Sequence, residues 1–156
     1  MTNNDILRRI RYALDISNPG MKAIFELAGH EIDQPTLLDL LKKDDEAGFQ
    51  PCSPEVLGLF LDGLIVSRRG PRETGPSQTT RATGALTNNL ILRKLRIALE
   101  LKDEDMLAIL KQGGFNVSKS ELSALFRDRS HKNYKVCGDQ LLRNFLKGLT
   151  VRHRQN

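Results

Sequence analysis

NNDILRRIRYALDI, residues 3–16, and NNLILRKLRIALEL, residues 88–101, are one amphipathic segment written twice. In the first copy Ile6, Leu7, Ile10, Ala13 and Leu14 recur at helical spacing, so they make one apolar face with charge on the opposite side. A shift of 85 positions, which carries residue 3 onto residue 88, keeps all of 3–69 in register with 88–154 without a gap, and about one third of the positions are identical. Many identities fall where a helical core needs them: Leu7/Leu92, Leu14/Leu99, Met21/Met106, Ile24/Ile109, Leu37/Leu122, Phe60/Phe145 and Leu64/Leu149. Chance does not produce such a register, so the chain is an internal duplication.

Each copy reads as four helices. The first is the quoted segment. The second is expected to start at Asn18, with Pro19 behind it, and at Asp103 in the other copy, because Asn and Asp are both good helix caps. Gly29 and Gly114 are placed to end it in a left-handed turn. The third starts at Asp33 and at Ser118, where Glu121 can close a capping box. The fourth starts at Ser53-Pro54 and at Gly138-Asp139 and carries FLDGL (60–64) or FLKGL (145–149). No sustained period-two alternation interrupts these patterns. The expected fold class is all-α, two homologous four-helix repeats packed with pseudo-twofold symmetry. The expected domains are residues 3–69 and 88–154, with 70–87 a flexible linker rich in Gly, Pro, Ser and Thr. A unit of this size has a thin core, so two copies sharing a buried face gain what neither has alone. Gly63 and Gly148, inside the fourth helices, point to a close helix–helix approach there.

Bulk properties narrow the function classes only a little. The chain has 156 residues and a net charge of +5, which is compatible with a polyanionic partner but weak as evidence. The charge is uneven: residues 3–70 carry eight basic and eleven acidic side chains, and residues 88–156 carry fourteen basic and seven acidic. No apolar run approaches the roughly 20 residues a bilayer span needs, and the N-terminus has no signal-peptide pattern, so no membrane partner and a cytoplasmic location are expected. Cys52 and Cys137 stand at equivalent positions. They read as small buried apolar residues rather than a metal or redox pair, since no further Cys or His shares their spacing.

The combination N-x-x-x-L-R-R/K-x-R-x-A-L, then Gly, then L-x-x-L, then Cys and F-L-x-G-L, occurring twice, resembles the YehS-like family of bacterial proteins. The resemblance covers nearly the whole chain outside the linker. It implies a cytoplasmic bacterial protein made of tandem copies of one helical domain, with no established activity and no catalytic or ligand residues to carry over.

Candidate binding residues come from charge patterning. Arg8 and Arg11 share a helix face, and Arg93, Lys94 and Arg96 repeat it, so these five form a candidate binding face between the copies. The structural alternative pairs Arg11 with Asp15 and Arg96 with Glu100, four residues on. Residues 106–127 faintly resemble a helix-turn-helix, which makes Lys119, Ser120 and Ser123 candidate nucleic-acid contacts, with Arg152 and Arg154 at the basic C-terminus. Copy one has Gln34 and Pro35 opposite Lys119 and Ser120, a poor surface for DNA. The acidic run Asp44, Asp45, Glu46 reads as a solvated loop. No phosphate loop, nucleophile elbow or zinc-protease helix is present, so neither a catalytic residue nor a metal or cofactor is expected. The sequence reading is a non-enzymatic helical binding or regulatory module using a face between the repeats. A protein partner ranks slightly ahead of a nucleic acid, and an enzyme of unrecognised chemistry ranks third. The length of the linker also permits a homo-oligomer in which the copies exchange between chains.

Overall fold

The computed structural model describes residues 1–70 and 86–154. The linker expected at 70–87 falls, apart from its ends, outside the described residues. The first repeat holds α1 (Asn3–Ala13), α2 (Asn18–Leu27), α3 (Gln34–Leu40) and α4 (Pro54–Arg69). The second holds α5 (Asn88–Leu99), α6 (Asp103–Gln112), α7 (Lys119–Leu125) and α8 (Asp139–Arg154). The described residues contain no strand, and the fold class is as the periodicity indicates.

Local chemistry explains most helix boundaries. Thr2 and Asp5 form a capping box at α1, and Ser118 and Glu121 form the expected one at α7. Asp33 caps α3 and Ser53 caps α4. Gly29 and Gly114 take φ of 79° and 89° just past α2 and α6. The second helices differ from expectation. The cap of α2 is Ser17, whose hydroxyl accepts from the Gly20 N–H at 3.1 Å, and α6 starts after Lys102, whose own N–H donates to Asp105 at 2.9 Å. Asn18 and Asp103 sit one residue inside the helix, where their side-chain oxygens serve arginines of the first helices instead.

Hydrogen bonding from Thr36, Lys102 and Ser118 respectively holds the carboxyls of Asp33, Asp105 and Glu121 below the usual carboxylate range. A carboxylate with a depressed folded-state pKa contributes stability that is present above its unfolded value and lost as pH falls through the folded one. The melting temperature is therefore expected to stay flat from pH 7 to about 5 and to fall below about pH 4, the range where free carboxylates titrate. Calorimetry across that range checks it.

The two repeats do not simply lie side by side. Within each, the second helix packs on the fourth: α2 on α4 and α6 on α8. The first helix, however, packs on the last helix of the other repeat: α1 on α8 and α5 on α4. Contact between α1 and its own α4 is marginal by comparison. Each crossed pair runs parallel. The α1–α8 pair is tied at one end by the Met1 amino group near Asp139 (3.8 Å) and at the other by Arg154, which donates to the Tyr12 carbonyl (2.9 Å) and lies 3.5 Å from Asp15. The α5–α4 pair repeats the second tie with the equivalent residues, Arg69 donating to the Ile97 carbonyl (3.3 Å) and pairing with Glu100 (3.3 Å). The pseudo-twofold relation thus holds down to single hydrogen bonds. One hydrophobic core runs through both repeats, with Leu7, Ile10, Phe25, Phe60, Leu92, Leu95 and Phe145 all fully buried. The first-helix apolar stripe supplies its centre, because a 3.6-residue period faces Leu7 and Ile10 the same way.

Candidate binding surface at the junctions between repeats

Two polar devices fix each first helix to its own repeat. Asn4 is 2 % exposed; its Nδ2 donates to the carbonyls of Leu40 (2.9 Å) and Gln50 (2.8 Å), and its Oδ1 accepts from the Cys52 N–H (2.9 Å). Asn89 does the same with Leu125 (2.9 Å), Lys135 (2.8 Å) and Cys137 (2.9 Å). These asparagines close the end of the third helix onto the loop before the fourth. The repeated NN at the head of each quoted segment was the sequence signal for them.

The arginines form the second device. Arg8 donates to the Lys42 carbonyl (2.8 Å) and pairs with Asp5. Arg93 donates to the Phe126 carbonyl (2.6 Å). Arg11 reaches Asn18 (2.9 Å), and Arg96 reaches Asp103 (2.7 Å) and the Leu101 carbonyl (3.0 Å) with its guanidinium over the Phe126 ring at 4.9 Å. The Arg11–Asp15 and Arg96–Glu100 pairs do not form. Asp15 and Glu100 adopt left-handed φ of 53° and 54° past the helix ends, which turns both carboxylates toward the other repeat's C-terminal arginine. Lys94 is 2 % exposed and faces Asp62 of α4 in an ion pair. The five candidate residues are therefore divided between two junctions, and most of their donors serve the chain itself.

Those two junctions differ in charge. At α1–α8 a cleft of about 440 Å³ is lined by Arg8, Arg9, Tyr12 and Lys43 from the first repeat, with Lys147, Thr150 and Val151 from α8. Moving each by 85 positions gives the twin junction, with Arg93, Lys94, Ile97 and Asp128 facing Asp62, Ile65 and Val66. The twin balances two cations with two carboxylates and buries Lys94 against Asp62, with Ile65 only 4 % exposed. The α1–α8 cleft holds four cations and no carboxylate among its lining residues. Arg8 is answered by Asp5, but Arg9, Lys43 and Lys147 have exposed side chains with no ion-pair partner among the described residues. Asp44, Asp45 and Glu46 follow Lys43 in sequence, yet none of them lines the cleft. Tyr12, 57 % exposed where its twin is Ile97, stands at the cleft with the Arg154 guanidinium over its ring at 4.0 Å. The charges that the twin neutralises stand together here without a carboxylate among the lining residues, which gives the α1–α8 cleft a positive potential.

The other candidates lie elsewhere. Lys119, Ser120 and Ser123 are exposed together on α7, a helix of only seven residues. Arg152 bonds Asp105 at 3.1 Å, and Arg154 belongs to the α1–α8 tie. Cys52 and Cys137 are buried in the core, where desolvation pushes each thiol up to about 11. Their alkylation by iodoacetamide at pH 8 is expected to be slow in the folded protein and to reach the free-thiol rate only in denaturant; rapid native labelling would contradict their burial. Among the described residues no group of three or more His, Cys, Asp or Glu could hold a metal ion, and no helix is long and apolar enough to cross a membrane. The sequence reading did not select Arg9, Tyr12, Lys43 or Lys147. The signal was available as a difference between the copies, since 43/128 and 62/147 each invert charge.

The fold and its junctions define a class: a duplicated helical unit whose copies exchange their first helices. The family model described as "Protein of unknown function (DUF1456)" matches residues 3–70 and again residues 88–155, and the chain belongs to that family. It is 44 % identical over 152 residues to the uncharacterized protein YehS of Escherichia coli (strain K12), a match covering 97 % of this chain and 96 % of that protein. No solved structure matches it significantly.

Proposed function

We propose that the chain is a non-enzymatic binding module, acting in the cytoplasm, that takes an anionic partner at the α1–α8 junction. The observation that carries this reading is the charge difference between two otherwise equivalent junctions. A duplicated fold needs both junctions for stability, and the Lys94–Asp62 junction supplies a working neutral solution. Retaining Arg9, Lys43 and Lys147 without counter-charge disfavours the folded chain slightly, and a bound anion removes that cost. The cleft draws cations from both repeats, so the partner bridges them and the recognition surface exists only in the assembled pair. The titratable groups most shifted by burial, the two thiols, sit in the core and serve packing.

Titration with a generic polyanion tests the reading. The wild-type protein is expected to bind heparin at 50 mM salt, and a Lys43→Asp, Lys147→Asp double variant, which copies the neutral junction, is expected to lose most of that affinity while keeping its melting temperature. Equal binding by both proteins, or none by either, would remove the proposal.

A further inference from the structure

We infer that the anion taken at the α1–α8 junction is a single-stranded nucleic acid, with phosphates on Arg9, Lys43 and Lys147 and a base against Tyr12. This inference rests on the anionic-partner reading above and goes further by naming the ligand class. The junction departs from its twin in three ways at once. Acidic positions have become basic, at Lys43 for Asp128 and Lys147 for Asp62. An aliphatic position has become an exposed aromatic, Tyr12 for Ile97. A buried aliphatic has become a half-buried hydroxyl, Thr150 for Ile65. The carboxylates of an acidic peptide use the first change and do not need a flat ring. A nucleotide uses all three: cations for the phosphate, a flat ring for the base and, from Thr150, whose proton goes to the Leu146 carbonyl at 2.9 Å, a hydroxyl oxygen that accepts from a sugar or base edge. The cleft's volume of about 440 Å³ lies within the range that takes a small ligand or one nucleotide unit.

Geometry along α8 extends the site beyond one nucleotide. Arg143 and Lys147 are four residues apart on that helix, about 6 Å along its axis, so their stems share a face. A phosphodiester chain lying along α8 passes from one to the other and reaches the Tyr12–Arg154 stack at the far end. One face of the Tyr12 ring carries the Arg154 guanidinium, so a base stacks on the other; that requires an unpaired base, which selects a single strand over a duplex.

The twin junction supplies the test variants, each already compatible with the fold. Fluorescence anisotropy is measured with labelled oligo-dT and oligo-U, a duplex of equal length, and polyglutamate, at 50 and 200 mM salt. The single strands are expected to bind at 50 mM salt and to weaken roughly 20- to 50-fold at 200 mM, as for about three to four neutralised phosphates on a single strand. Lys147→Asp is expected to lower affinity more than tenfold, with Lys43→Asp a second variant of the same direction. Tyr12→Ile is expected to lower it about fivefold or more with little change in salt dependence, the effect of one lost stack. Lys119→Asp, on α7, is expected to change nothing. If polyglutamate binds as well as the strands and Tyr12→Ile is silent, the nucleic-acid inference falls and the anionic junction stands. If Lys119→Asp abolishes binding while Lys147→Asp does not, strands bind elsewhere and the inference falls. If neither strands nor polyglutamate bind at 50 mM salt, both readings fall.

Discussion

Gly148→Ala is expected to cost at least about 3 kcal/mol of unfolding free energy, which is a large share of what a domain of this size possesses. A Cβ at Gly148 would fall on the carbonyl oxygen and carbon of Ile109, and a Cβ at Gly63 would fall in the same way on Ile24. The obstacle in both cases is the backbone of the second helix, which cannot rotate aside as a side chain can. Relief needs α6 to move bodily away from α8, opening the contact that buries Met106, Ile109 and Phe145. Gly113 is caught in the same crossing, its hypothetical Cβ meeting the Asn144 carbonyl. Gly138 meets nothing and has no left-handed φ, so Gly138→Ala is the control and should cost under about 1 kcal/mol. Urea midpoints for the two variants decide the matter; equal midpoints for Gly148→Ala and Gly138→Ala would show that the crossing is looser than described.

Asn89→Ala is expected to cost about 3 kcal/mol, and Asn4→Ala a similar amount. Each truncation removes three hydrogen bonds at once and leaves two carbonyls and one N–H without a partner in a buried setting. Those groups belong to irregular backbone, the end of the third helix and the loop before the fourth, which no helix ladder can satisfy. Asn→Asp at either position should be nearly as damaging near neutral pH. One carboxylate oxygen would then stand where the donating amide was and face two carbonyl oxygens, while the other still accepts from the Cys52 or Cys137 N–H. Equilibrium unfolding by circular dichroism measures both. A loss below about 1 kcal/mol would mean that water replaces the asparagine and that the clamp is not structural.

These two devices also mark the limit of what the sequence conveys. Helix number, the third- and fourth-helix caps, the left-handed glycines and the close approach at Gly63 and Gly148 were legible, because each depends on local chemistry or on a period that one helix imposes on its own residues. The pairing of α1 with α8 and of α5 with α4 was not, because an amphipathic stripe records that a face is buried and not which helix covers it. The same gap explains the arginines. Arg11 and Asp15 have ideal spacing for an intrahelical pair, but the helix ends before Asp15 and the left-handed turn there swings the carboxylate onto Arg154. Asn18 and Asp103 have the chemistry of caps and instead accept from Arg11 and Arg96, since Ser17 or the Lys102–Asp105 contact already occupies the helix start. The basic cleft needed the exchange to be known first: Lys43 and Lys147 are more than a hundred residues apart, and only the crossed pairing brings them to one place.

The exchange of first helices is the claim on which the junctions depend, and residues 1–70 produced alone test it most directly. In isolation α1 lacks α8 and α4 lacks α5, so the fragment can bury those faces only against a second copy of itself, an arrangement that sets Arg9 opposite Asp62 as Lys94 is set in the intact chain. Sedimentation and thermal unfolding over a hundredfold concentration range are then expected to show helix only in a dimer, with a melting temperature that rises with concentration. A folded monomer with a concentration-independent melting temperature would contradict the exchange.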